Sequence, residues 1–238
     1  MTTVLLVRHG RTTANGAGVL AGWTEGVALD ESGVAQVRAL AGRLAPVPLR
    51  AVVTSPLQRC RETTDLLLDG REVEVHADDR VGEVRYGEWS GRELTKLAKE
   101  PLWTVVQSHP SAMTFPGEGG ESMRDMASRA VDAVRDWNAR LGGTDDGAVY
   151  AVVSHGDVIK AVLADALGMH LDQFQRLVVD PGSVSIVSYT ALRPFVVRVN
   201  DLGGDLAFLS PRKGSRRRKK PPSSDADLGG GAGTSGSA

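Results

Sequence analysis

Two short apolar runs constrain this chain more than any other feature, because each ends in a histidine followed by glycine. Val4-Leu5-Leu6-Val7 leads into Arg8-His9-Gly10-Arg11-Thr12, with Asn15 close behind. Residues 148–153 lead in the same way into Ser154-His155-Gly156. Continuous apolar runs with β-branched residues read as buried strands. The glycine after each histidine lets the backbone turn away. Two imidazoles and a guanidinium are thereby delivered to the C-terminal ends of strands, where open α/β sheets hold their ligands. One site assembled from both halves of the chain is implied.

The sequence between these runs alternates helix and strand patterns. Residues 29–44 read as a helix capped by Asp30 or Ser32, with Val34, Val37, Leu40, Ala41 and Leu44 on its apolar face. Residues 49–55 read as a strand, and Ser55-Pro56 opens a helix to Leu68 with proline in its first turn. A short strand follows at 73–76. Residues 77–91 place Gly82, Gly87 and Gly91 around Glu83, Tyr86 and Trp89, a structured loop with Trp89 as its packing anchor. Helices are predicted over 92–99 and 119–141, with a Pro- and Gly-rich loop at 109–120 between them. A further helix covers 155–167 and is stopped by Gly168. Residues 184–189 and 195–199 alternate and read as adjacent strands. The expected fold is α/β, a three-layer α/β/α sandwich with a mostly parallel, mixed central sheet, forming one catalytic domain over residues 1–210.

Charge is unevenly placed. Seven of the 28 Lys and Arg residues fall between Arg212 and Lys220, and residues 1–211 hold 21 basic against 27 acidic side chains, a net of −6. A mildly acidic body does not suit nucleic-acid binding. Residues 211–238 run from Arg, Lys and Pro into Gly and Ser without apolar spacing, and are expected to be a disordered tail. Its run Arg216-Arg217-Arg218-Lys219-Lys220 is the one segment able to contact nucleic acid, an acidic membrane or an acidic partner, and is read as a solubilising extension. The single cysteine, Cys60, excludes an intramolecular disulfide and a cysteine-cluster metal site. The N-terminal apolar run is too short for a signal peptide and Arg8-His9 interrupts it. No stretch is long enough to span a bilayer. A cytoplasmic protein is expected.

A lone histidine is most often structural or exposed, but His9 follows an arginine at the end of a buried strand. Neutral imidazole is a competent nucleophile, and a guanidinium holds phosphate oxygens bidentately. The pair suits phosphoryl transfer better than proton shuttling alone. His155 begins a helix whose positive end disfavours imidazolium. A bound phosphate would reverse that balance, and the helix start offers it backbone amides; the plainer reading is a hydrogen-bonded helix-start residue. Arg59, four residues after Ser55, reaches the same sheet edge, whereas Arg61 suits a solvated face. Glu62 is placed to pair with either. Glu83 can protonate a leaving-group oxygen if burial or substrate charge raises its pKa, against the plainer reading of a solvated loop carboxylate. His9, His155 and a carboxylate are also a zinc donor set. Neither histidine has a second ligand at motif spacing, however, and two arginines would repel a cation, so neither metal nor cofactor is expected.

Five segments in order resemble the histidine phosphatase superfamily, which includes the phosphoglycerate mutases and many small-metabolite phosphatases. They are Arg8 to Asn15, Ser55 to Thr63, Glu83 to Gly91, Phe115 to Ser122 and Ser154-His155-Gly156, spread over roughly residues 3–200. The resemblance implies that His9 becomes a phosphohistidine. Arg8, Arg59 and His155 would surround the phosphate, with Asn15 lining the pocket and the Gly156 backbone contributing. Glu83 would protonate the leaving oxygen and then activate water. Two arginines and a histidine neutralise the equatorial oxygens without a metal.

Within that resemblance, glycolytic mutases carry a longer insert between the positions matching Glu83 and His155, with an Arg-Arg pair for the substrate carboxylate. This chain has no such pair, and Ala21-Gly22 lacks the threonine that those mutases place before the glycine. A phosphatase acting on a small phosphorylated molecule is therefore expected. The alternatives are a phosphomutase and a non-catalytic phospholigand- or protein-binding member, although every expected catalytic position is filled. The loops at 92–120, with Trp103, His109, Met113 and Phe115, are expected to cap the leaving group. An edge strand or exposed helix would serve a homodimer.

Overall fold

The computed structural model describes residues 1–142, 147–204 and 228–231. Six strands form one mixed sheet: β1 (Thr2–Arg8), β2 (Leu49–Thr54), β3 (Glu74–Ala77), β4 (Ala148–Ser154), β5 (Val184–Tyr189) and β6 (Pro194–Asp201). Their order is β3-β2-β4-β1-β5-β6. The first four lie parallel, β5 runs antiparallel to β1, and β6 pairs antiparallel with β5.

Side chains along the central strands alternate between two apolar cores, as the period of two requires. Leu5 and Val7 face one core with Val37 and Leu40 of α2 (Glu31–Leu44) and Cys60 and Leu67 of α3 (Gln58–Leu68). Val4 and Leu6 face the other with Ala130 and Val134 of α6 (Met123–Leu141) and Ile159 and Leu163 of α7 (Gly156–Ala166). This is the expected three-layer arrangement.

Asp30 rather than Ser32 caps α2, its side chain accepting from Gly33 N at 2.8 Å. Ser122 caps α6 in the same way. The helix expected from Ser55-Pro56 starts instead at Gln58. Leu57 stays extended there, and Ser55 Oγ faces His155. Glu62 pairs with neither arginine: its carboxylate accepts from Leu29 N and Gln58 Nε2.

Three short helices complete the order: α1 (Thr13–Ala17), α4 (Leu94–Leu97) and α5 (Pro101–Ser108). Trp89 is the anchor of its loop, buried against the rings of Trp103 and Phe115. Gly87 holds φ at 52°, and a Cβ there would run into Pro116 O. The same carbonyl accepts from Glu88 N at 2.9 Å, so only glycine lets these two loops join.

On the open edge, β6 exposes Phe195, Val197 and Val199. No helix among the described residues is long and apolar enough to cross a membrane. The basic run at 212–220 lies outside the described residues. Within the described residues of the tail segment, Leu228 is buried and belongs to the same core cluster as Leu20 and Tyr86.

Candidate active site

Strand register builds the site. Arg8 pairs with Ser154 across β1 and β4, so His9 and His155 leave adjacent strand ends side by side. His9 N bonds Ser154 O at 3.0 Å, and the two rings lie 5.2 Å apart at 62°. Next along, Ser55 N bonds Val153 O at 2.9 Å as the chain leaves β2 for α3, whose second residue is Arg59.

His9 Nδ1 lies 2.8 Å from Gly10 O. A carbonyl only accepts, so Nδ1 carries the proton and Nε2 keeps its lone pair. Burial, reinforced by Arg59 and Arg8, holds the His9 pKa well below the usual imidazole range. A neutral ring in this tautomer keeps the Nε2 lone pair available to an electrophile.

His155 is fully buried. Its Nδ1 lies 3.2 Å from Arg59 Nη2, which cannot accept, so Nδ1 accepts and Nε2 donates to Ser55 Oγ at 2.8 Å. Cys60 Sγ is 3.5 Å from Nε2, and burial pushes that thiol up to about 12. Burial, then Arg59 and His9, also hold the His155 pKa well below its usual range.

Arg59 Nη2 donates to Gly22 O at 2.9 Å and lies 4.0 Å from Glu83 Oε2. Glu83 is 4% exposed; its Oε1 accepts from Val84 N, and its Oε2 lies 3.7 Å from His155 Nδ1. Burial pushes the carboxyl up to about 7, against the pull of Arg59 and with a further push from Asp157. It holds its proton over part of the neutral range.

His9, Asn15, Arg59 and Glu83 line one cavity of about 180 Å³, whose remaining walls include Val19, Leu20 and Leu94. Asn15 is the third residue of α1 and closes a reciprocal cap with Thr12, its Oδ1 accepting from Thr12 N and Oγ1. Its Nδ2 takes no part in that cap. Gly156 is buried as the first residue of α7. Arg8 shares the strand end but is fully buried; its Nη1 donates to Val179 O, and its Nη2 to Gly229 O and Gly231 O. Among the described residues no group of three His, Cys, Asp or Glu side chains is placed to hold a metal ion.

Of the expected cap over 92–120, Leu94 lines the cavity, whereas the four residues singled out for it do not. Trp103, Met113 and Phe115 are core side chains and His109 is exposed. Their apolar faces are spent on Trp89 and its neighbours, and Leu94 of α4 takes the position at the cavity.

Three further groups hold the site together: Ser55, at the head of the Ser55 to Thr63 segment but with no role read for it, and two that lack a local sequence signal. Ser55 Oγ accepts the hydrogen bond from His155 Nε2. Asp157 accepts from Tyr86 Oη at 3.3 Å beneath the Glu83 loop. Arg129 of α6 grips that loop, donating to Arg80 O and Gly82 O at 2.8 Å and to Glu83 O at 2.9 Å. Its other donors meet Glu121 at 2.6 and 3.0 Å, and Glu121 accepts in turn from Arg85 N. The bond to Glu83 spans 46 residues, so only the packed fold reveals it.

A family model described as the histidine phosphatase superfamily (branch 1) matches residues 4–202. The adenosylcobalamin/alpha-ribazole phosphatase of Salmonella typhimurium is 30% identical over 185 residues, covering 76% of this chain and 88% of that protein. The 2,3-bisphosphoglycerate-dependent phosphoglycerate mutase 2 of Gloeobacter violaceus is 28% identical over 183 residues, covering 76% of this chain and 82% of that protein. Among solved structures, Bacillus stearothermophilus YhfR matches with a TM-score of 0.74 at 27% identity, covering 83% of this chain and 96% of that one.

Proposed function

The chain belongs to the histidine phosphatase superfamily, and on that footing we propose that it hydrolyses a small phosphomonoester through a phosphohistidine on His9. The observation that carries the reading is the Nδ1 bond of His9 to Gly10 O. It leaves a neutral Nε2 at a cavity that also holds a guanidinium and a carboxyl raised to about 7.

In the first step His9 Nε2 attacks phosphorus as the bond to the leaving oxygen breaks, and Glu83 gives its proton to that oxygen. In the second, water attacks phosphorus and gives a proton to the Glu83 carboxylate. The N–P bond breaks, and inorganic phosphate and neutral His9 are restored. Arg59 and Arg8 neutralise the equatorial oxygens, and Asn15 Nδ2 and the Gly156 amide add donors. The dianion also favours a proton on His155, which burial otherwise disfavours. Val19, Leu20 and Leu94 form the apolar side of the cavity, suited to the carbon skeleton of the leaving group.

A mutase would pass the phosphoryl group to a second hydroxyl instead of water. The similarity to a phosphoglycerate mutase keeps that reading in view. No Arg-Arg pair lies between Glu83 and His155 to hold a substrate carboxylate, which favours water. The test is turnover of an aryl phosphate and of a panel of phosphorylated metabolites including 3-phosphoglycerate, scoring free phosphate and isomer separately, with and without chelator. Phosphate release that withstands chelation, is lost in His9→Ala and leaves an acid-labile phosphoenzyme supports the reading. Activity retained in His9→Ala refutes it.

A further inference from the structure

The segment Leu228–Gly230 and Gly231 lie against the active site. Leu228 is 1% exposed and joins the core beside Leu20, Tyr86 and Val179. Gly229 N donates to Asp157 Oδ2 at 2.9 Å. Gly229 O and Gly231 O accept from Arg8 Nη2 at 3.0 and 2.8 Å. Leu228, Gly229 and Gly231 line the same cavity as His9, Arg59 and Glu83. Gly229 has φ of 67°, and a Cβ there would come within 3.1 Å of Leu20 Cδ1, so the turn is fitted to glycine.

The two carbonyls take the Nη2 donors of Arg8 as two oxygens of an anion would. They are neutral acceptors, and charge-assisted bonds from a guanidinium to phosphate are stronger. Ordering a run of glycines also costs more conformational freedom than ordering any other residue. Among the described residues, one buried leucine and three hydrogen bonds of the segment's backbone oppose that cost. The docked state is therefore one that a phosphoryl group can displace.

We propose that this C-terminal segment is an intramolecular competitor for Arg8: it occupies the guanidinium in the resting enzyme and yields it to the phosphoryl group of the substrate. The proposal rests on the phosphatase reading above. It makes access to the site depend on a part of the chain far from the catalytic residues in sequence, and any partner that captured the segment would activate the enzyme.

The test compares the full chain, a chain ending at Asp227, and full-length Leu228→Asp, which removes the anchor and keeps the length. Inorganic phosphate binding is measured by calorimetry and orthovanadate affinity by inhibition of aryl phosphate turnover. Both variants are expected to bind phosphate and vanadate about threefold more tightly or better, the factor expected if the segment is docked in two thirds of resting molecules. A peptide spanning residues 224–231 added to the truncated chain should weaken phosphate binding competitively. Unchanged or weaker phosphate binding in both variants overturns the proposal and leaves the phosphatase reading intact. Absence of phosphate binding in every form overturns the phosphatase reading, and the proposal falls with it.

Discussion

Arg129 gives the sharpest test of how Glu83, the proposed proton donor, is held. It does not line the cavity, yet its bonds end on carbonyls at Asp79, Arg80, Gly82 and Glu83. Replacing it with methionine keeps the stem and removes the fork. Breaking a buried ion pair from one side costs about 3–5 kcal/mol. With 19% and 13% of the Arg129 and Glu121 side chains in solvent, the lower end, about 3 kcal/mol of stability, is expected. The kinetic effect is separate. General acid catalysis contributes ~10²–10⁴-fold, and a misplacement of about 1 Å costs ~10²-fold. Arg129→Met should therefore lower kcat on an alkyl phosphate by ~10²-fold, because that leaving oxygen needs the Glu83 proton.

A nitrophenyl phosphate needs far less protonation, and its kcat should fall by less than ~10-fold. Vanadate affinity should hold, since His9, Arg59 and His155 are fixed by other partners. Arg129→Lys keeps the charge without the fork and should lie between. The assay is the ratio of alkyl to aryl turnover in each variant, well below its melting temperature and normalised to vanadate-titrated sites. A merely structural arginine would lower both rates alike. An unchanged ratio refutes the reasoning.

The remaining predictions concern the proton inventory. Turnover should fall as pH rises through about 7, where Glu83 loses its proton, and Glu83→Gln should lower kcat and flatten that alkaline limb; an unaltered limb would assign it to another group. Glu83 holds its proton more tightly when folded, so its stabilising contribution is full below 4.5 and is lost as pH rises to about 7, on the order of 3 kcal/mol in all. Melting curves at pH 5 and pH 8 should therefore converge in Glu83→Gln. Ser55→Ala removes the acceptor for His155 Nε2, and should cost about 1–3 kcal/mol in kcat/KM; a change of less than about twofold would show that Ser55 does not orient the ring.

What could be read from the sequence follows from how local each cause is. The strands ending at Arg8 and Ser154 announce themselves because burial on both faces makes them continuously apolar, and the register then forces His9 and His155 together. Helix α2 is readable from its cap and its apolar spacing. Helix α5 is not, because Thr104-Val105-Val106 looks like strand and only Pro101 at its first turn marks a helix. Helix α1 is five residues long, too short for a period, and rests on the reciprocal cap of Thr12 and Asn15. Aromatic residues in a Pro- and Gly-rich stretch look like a ligand-facing cap in one dimension; in three they are the packing of Trp89. The roles of Ser55, Asp157 and Arg129 were unreadable for a common reason: each acts on a residue brought near only by tertiary packing.

Burial sets the chemistry of the site in two directions at once. Moving charge out of water disfavours the ionised form of every group, so the same desolvation pushes Glu83 up and both histidines down. A carboxylic acid with a proton to give then coexists with an imidazole that has a lone pair to offer, although in water the carboxyl would ionise at lower pH than the imidazole. Arg59 works against this for Glu83 and with it for the histidines. Its guanidinium must therefore stay far enough from Glu83 to leave the acid protonated, and the 4.0 Å separation, with Nη2 committed to Gly22 O at 2.9 Å, does that. The fold accepts a loss of stability in both directions of pH in return: as pH rises from 4.5 to about 7 because Glu83 resists ionisation, and as pH falls below 6.5 because the histidines resist protonation. The pH range in which Glu83 keeps its proton while His9 stays neutral is thus a consequence of where β1, β4 and the Glu83 loop meet, and Arg129 keeps the loop at that meeting point.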